Sequence, residues 1–137
     1  MKSSSPSPES LKTAIAPILA VRRGAKAVEF YQRAWGAEEL FRVTDDTGGV
    51  VAQLSVNGAE FWVADESPAH GNFSPESLGG GTVRMVLRVA DPDEVFARAI
   101  AEGATVVWPV SDQPYGWRLG RLVDPFGHHW EIGKPLC

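Results

Sequence analysis

The densest group of chemically capable side chains lies near the end of the chain, in Gly127-His128-His129-Trp130-Glu131-Ile132. A strand through this run alternates its side chains, so His129 and Glu131 share one face and His128 takes the other. An imidazole beside a carboxylate offers two donors to a divalent ion, or a base with a neighbour to tune it. Two donors are few for an ion that wants three or four. His70 stands in a Gly/Pro-rich stretch with no partner that spacing can identify. The single cysteine, Cys137, is the last residue and permits neither an intrachain disulfide nor a Cys-based metal site. No Ser/His/Asp arrangement stands in a nucleophile context. Gly79-Gly80-Gly81 precedes a strand and not a helix, so it reads as a hinge and not a phosphate loop.

The chain that must position these residues has 137 of them, 44% hydrophobic and 22% charged. That suits one compact domain or two small modules sharing a core. A net charge of −4 and a pI near 5.3 argue against nucleic acid, which rewards clustered Lys and Arg. The mild acidic excess does not by itself identify a cationic ligand. Met1 to Pro8 is rich in Ser and Pro and lacks the apolar run of a signal peptide. No segment reaches membrane-spanning length, so no membrane partner is expected and the cytoplasm is the expected compartment.

Residues 1–13 are poor in apolar side chains and are expected to be disordered. Ile15 to Val21 reads as a strand. Ala27, Phe30, Tyr31 and Ala34 then recur at three- and four-residue spacing, which predicts a helix that Gly36 ends. Strands follow over 38–44, 49–56 and 60–64, with Asn57-Gly58 as a two-residue hairpin turn. The stretch 67–81 reads as a linker without elements of its own. Val83 to Val89 is the next strand, and Asp91-Pro92-Asp93 opens a helix that Gly103 stops. Strands over 104–109, 118–123 and 128–132 complete the chain, with 111–116 as a loop.

The same order of elements thus occurs twice. Val21 matches Val89, Gly36 matches Gly103 and Gly58 matches Gly127, at nearly constant separation. Phe61 and Val63 fall on Trp130 and Ile132 in the same alignment. A duplicated βαβββ unit follows, with modules over 14–66 and 82–134.

The runs AVRRGAKAVEFYQRAWGAE and LVDPFGHHWEI carry a resemblance to the vicinal oxygen chelate (glyoxalase/bleomycin-resistance/dioxygenase) superfamily. VAQLSVNGAEFWVADES and GRLVDPFGHHWEI most resemble its PhnB-like branch. The resemblance implies an α+β fold in which each module curls its sheet and two modules line a cup. Alternation then places Pro17, Leu19, Val21, Val83, Met85, Leu87 and Val89 in the core. It turns Gln53, Trp62, Arg84, Arg88, His129 and Glu131 toward the cup. His128 is expected at a turn or on the surface, and Trp35 and Trp108 in core packing. Phe73 is expected to cover one side of the cup.

Metal-dependent members of the family place a ligand on the first and last strand of each module. Carried across, those positions are Ala16, Trp62, Arg84 and Glu131, and only Glu131 is a ligating residue type. Arg84 brings a permanent cation to the same place and is expected to pair with Glu131. No cofactor is therefore expected; the alternative is a divalent ion displaced onto His129 and Glu131, with Gln53 across the cup. Tyr115 and Trp117, in Asp112-Gln113-Pro114-Tyr115-Gly116-Trp117, are expected at the mouth.

A cup lined by Gln53, Trp62, Arg84, Arg88, His129 and Glu131, with Tyr115 and Trp117 at its rim, fits a small organic molecule. The expected function is metal-independent small-molecule binding by a homodimer, with the modules paired within a chain or swapped between chains. Two alternatives stand beside it. One is a lyase, isomerase or dioxygenase-type enzyme with the displaced metal or with Glu131 as general base. The other is a scaffold whose cup is filled by its own side chains.

Overall fold

The computed structural model describes residues 11–137. Most of the tail expected over 1–13 therefore lies outside the described residues. The first module runs β1 (Ile18–Val21), α1 (Gly24–Trp35), β2 (Glu38–Thr44), β3 (Val50–Val56) and β4 (Ala59–Asp65). A 3-10 turn at Pro68–His70 and a one-turn helix, α2 (Pro75–Leu78), follow. The second module runs β5 (Arg84–Arg88), α3 (Pro92–Ala101), β6 (Thr105–Asp112), β7 (Trp117–Val123) and β8 (His129–Pro135). This is the duplicated βαβββ order expected from the sequence, and the α+β fold that goes with it.

Local chemistry accounts for the element ends. In α1 the buried stripe Ala27, Val28, Phe30, Tyr31 and Ala34 follows helical spacing. Gly36 closes the helix in the left-handed region, at φ 66°, where a side chain would be strained. The Asp91 carboxylate caps α3 by accepting from the Glu94 amide at 3.3 Å. Asn57 and Gly58 take φ of 55° and 93°, the two positive values that a two-residue hairpin demands.

The two sheets have the same plan: strand order β1-β4-β3-β2 in one and β5-β8-β7-β6 in the other. The first strand of each module runs parallel to its last, and the remaining pairs are antiparallel. One face of each sheet packs on the helices. The buried side chains of both modules form one cluster, in which Tyr31 and Trp35 of α1 meet Trp130 of β8 at ring-centroid distances of 5.7 and 4.2 Å. The two modules therefore share their helix sides, and both concave sheet faces are left outside the common core. Ile18 on one face is 63% exposed and Val86 on the other 62%.

Five expectations are revised. Strand β1 begins at Ile18, three residues late, and Val83 precedes β5 and is 67% exposed instead of core. Strand β6 continues to Asp112 through Pro109 and shortens the expected 111–116 loop. It tolerates the proline because it is the edge of its sheet. The linker carries two helical turns and is tied down: the Glu66 carboxylate accepts from the Ser74 amide and the Ser77 hydroxyl, each at 2.8 Å. Trp108 pairs in register with Arg121 on the concave side and is half-buried there, not in the core.

Candidate functional site

The concave face of the second module collects most of the polar side chains singled out by the sequence. Strand register puts Arg84 beside His129, and Val86 and Arg121 on either side of Glu131. Arg88, Leu119 and Trp117 continue the same face toward the far end of β8. Residues in register across neighbouring strands project to the same side, so these groups form one surface.

Its centre is an ion pair. Arg84 Nε donates to Glu131 Oε2 at 2.7 Å, with the carboxylate largely covered and the arginine side chain more than half exposed. This is the pairing expected from the sequence. Arg121 Nε donates to His129 Nδ1 at 3.2 Å. That bond requires Nδ1 to be an unprotonated acceptor, so the imidazole is neutral while the bond holds. Burial first, and the Arg121 charge second, hold the His129 pKa below its ordinary value. No protein group bonds Arg88 among the described residues, and the terminal guanidinium nitrogens of Arg84 and Arg121 are also without protein partners there.

Two hollows open on this face, one on each side of the Arg84–Glu131 pair. A cleft of about 600 Å³ runs between β1 and the start of β8, with Arg84, Arg121, His128 and His129 along one wall and Phe73 and Leu78 on another. Phe73, expected over one side of the cup, lines this cleft. A shallower hollow of about 390 Å³ is lined by Val86, Tyr115, Trp117, Leu119 and Glu131. Gly133 makes room for it: a Cβ there would stand 2.6 Å from Leu119 Cδ1 and would also strike the Arg118 carbonyl.

The first module's concave face is of different character. Ile18, Trp62, Gln53 and Phe41 fall in one row across its four strands. Trp62 meets Phe41 edge to face at 6.1 Å, and Gln53 Nε2 donates to Glu60 Oε1 at 2.9 Å. Glu38 and Glu60 are in register with Ser55 on the same side. The cleft that holds Arg84 and His129 takes in Ile18 from the end of that row, but neither Gln53 nor Trp62.

The residues present do not fit a divalent ion at the four positions carried across from the family. Ala16, Trp62 and Arg84 supply no metal-ligating atom, and one oxygen of Glu131 is occupied by a guanidinium. His129 Nδ1 is committed to Arg121. Among the described residues no three His, Cys, Asp or Glu side chains converge on a common point.

Sequence reasoning missed the role of the Asp124-Pro125-Phe126-Gly127 turn between the modules. The buried Asp124 carboxylate accepts from the Phe126 and His128 amides at 2.9 and 3.0 Å and from Trp130 Nε1 at 2.9 Å. The Tyr31 hydroxyl, from the other module, donates to the same carboxylate. His128 is neither a turn cap nor a free surface residue: its Nε2 lies 2.8 Å from the Ala20 carbonyl of β1. Arg23 stands over the Phe126 ring at 5.2 Å. An acidic residue in a turn directly before a strand was the only available signal.

The profile of the Glyoxalase/Bleomycin resistance protein/Dioxygenase superfamily matches residues 13–132. The chain belongs to that superfamily. Superfamily relatives in mycobacteria include an uncharacterized protein of Mycobacterium bovis, 41% identical over 130 residues that span 92% of this chain and 86% of that protein. Among solved structures, the crystal structure of TioX from Micromonospora sp. ML1 superposes with a TM-score of 0.69 at 30% identity, covering 90% of this chain and all of that one. A genomically encoded fosfomycin resistance protein, FosX of Listeria monocytogenes, shares the fold at a TM-score of 0.70 and 16% identity, over 91% of this chain and 94% of that one. No helix among the described residues is long and apolar enough to cross a membrane.

Proposed function

We propose that the protein is a metal-independent cytoplasmic binding protein, acting as a homodimer that holds a small organic molecule. The cup is built by two copies, the first module of one facing the second module of the other. The observation that carries this reading is the outward turn of both concave faces, with Ile18, Phe41, Val43, Val51, Val86 and Tyr115 exposed on or beside them. Exposed apolar surface of that extent is a feature of interaction sites. Charge supports the pairing of unlike modules. Among its paired strand positions the first face carries the carboxylates Glu38 and Glu60 and no arginine. The second carries Arg84, Arg88 and Arg121 against Glu131, a net of +2. Like faces would repel, whereas unlike faces attract.

Pairing across copies reunites the residues that one chain separates, bringing Gln53 and Trp62 over Arg84, His129 and Glu131. The enzyme reading has less behind it. Glu131 would have to leave Arg84 before acting as a base, and among the described residues no ligand set for an ion surrounds it. The runs around Asn57-Gly58 and Asp124-Gly127 support a place in the PhnB-like branch.

Two measurements on one preparation test this. Light scattering behind size exclusion is expected to give twice the 14.8 kDa chain mass, reverting to monomer for Ile18→Asp and Val86→Asp. Metal analysis of protein purified without chelator is expected to find no stoichiometric ion. A monomer at all concentrations, or stoichiometric metal lost in Glu131→Ala, overturns the reading.

A further inference from the structure

We infer that the molecule held in the cup has a flat apolar body and a single oxyanion group at one end. This rests on the binding reading above and adds the ligand's chemistry to it. The oxyanion is taken by Arg84 and Arg121, and the body lies against Tyr115 and Trp117.

Among the described residues, Arg84 uses only Nε, on Glu131, and Arg121 uses only Nε, on His129. Each guanidinium therefore keeps its two terminal nitrogens for another acceptor. Both arginines line the same cleft, and the one carboxylate of the face cannot neutralise them both. Guanidinium forks match the two oxygens of a carboxylate, or two oxygens of a phosphonate or sulfonate. Around these two arginines a cationic ligand meets repulsion, and a neutral acceptor gains less than an anion because hydrogen bonds between two charged groups are the stronger.

The rest of the ligand is described by the second hollow. It begins at Glu131, where the polar cleft ends, and its other walls are Val86, Leu119, Tyr115 and Trp117. Two aromatic rings and two aliphatic side chains favour a flat apolar group over a sugar or a peptide. Arg121 and Trp117 stand on one face of β7, four residues apart. At a rise of about 3.3 Å per residue the anion end and the aromatic end are about 13 Å apart. That length suits two linked or fused rings bearing one acid group. In the dimer, Phe41 and Trp62 of the first module's face supply an apolar opposite wall, with Glu38 and Glu60 one row away and Glu60 held by Gln53.

The test uses the full chain and three probes of one shape: biphenyl-4-carboxylate, biphenyl-4-carboxamide and 4-(aminomethyl)biphenyl, each titrated calorimetrically. The carboxylate is expected to bind at least tenfold more tightly than the amide, and the amine more weakly than either. Arg84→Gln and Arg121→Gln are each expected to weaken the carboxylate about tenfold and leave the amide unchanged. Arg84→Lys, which keeps the charge and loses the fork, should fall between. Trp117→Ala should weaken acid and amide alike. Equal affinity for acid, amide and amine, or a carboxylate affinity indifferent to both arginine changes, overturns the anion assignment while the binding reading stands. No binding of any of the three overturns the inference. A ligand-observed NMR screen of unrelated fragments then decides the broader reading, which fails only if those do not bind either.

Discussion

Replacing Asp124 by alanine removes the acceptor of four hydrogen bonds from the place where the two modules meet. Two of the donors are backbone amides of the turn, which water can reach once the turn loosens. The other two, the Tyr31 hydroxyl and Trp130 Nε1, belong to buried side chains and would be stranded. An unpaired buried donor costs about 1–3 kcal/mol, so the two together cost about 4 kcal/mol. Relief from desolvating a buried carboxylate offsets part of the remaining loss, which is why the four bonds do not simply sum. A chain of this length has about 7–20 kcal/mol in total, so the variant should fold and be measurably weaker. Tyr31→Phe removes one donor and leaves the carboxylate three others, at about 1–2 kcal/mol. The double variant no longer has the stranded hydroxyl, so the two changes should fall short of additive by about 1–2 kcal/mol. Urea unfolding followed by tryptophan fluorescence reads all four proteins, with the denaturant slope as the check that only stability changed. There is also a pH signature. Burial first, then the Asp124 charge, raises the Tyr31 pKa well above its ordinary 10.0. The folded state therefore keeps a proton that the unfolded chain releases, and stability falls as pH rises past that ordinary value. Tyr31→Phe should flatten the fall. An Asp124→Ala protein within about 1 kcal/mol of the parent, or an additive cycle, would refute the claim that this contact ties the modules.

The His129 midpoint, followed by NMR, should lie below the ordinary imidazole value, and its folded-state contribution should be lost as pH falls through the unfolded value near 6.5. Arg121→Gln should raise the midpoint only part of the way, because burial is the larger cause; an unchanged midpoint would remove Arg121 from the account. Gly133→Ala should cost about 1–3 kcal/mol by overpacking, and by pushing Leu119 outward should close part of the hollow beside Trp117. Unfolding by urea gives the first effect, and weakened binding of biphenyl-4-carboxylate the second; a variant neutral in both contradicts the packing described for β7 and β8.

Both modules were legible because their signals are local and repeated. Helical spacing in α1, the Asn57-Gly58 turn and the proline-acid start of α3 each determine an element without help from elsewhere. Period-two alternation sorted the strand faces almost correctly, and it brought Arg84 and Glu131 together across 47 residues of sequence. Val83 failed because alternation was carried past the point where β5 begins to pair. Trp108 failed because bulges in the pairing of β6 with β7 shift the alternation beside it, and no residue type in Thr105–Asp112 announces them. The packing of the modules through their helix sides was not legible at all. It depends on Tyr31 reaching Asp124 and on Trp35 reaching Trp130, contacts between residues about 93 apart whose types say only that each is core.

That shared core has a consequence for how the chain could be taken apart. Each half closes its own sheet, yet α1 would lose the ring of Trp130 and β8 would lose those of Tyr31 and Trp35 on separation. Neither half is then a finished globule; each is an obligate complement of the other. Cutting within Gly79-Gly80-Gly81, beyond the capped turn of α2, should leave two polypeptides that remain associated, and expressing them separately should give partners soluble only together. The covalent link would thus serve to raise the effective concentration of two halves whose mutual recognition is already written into their helix faces.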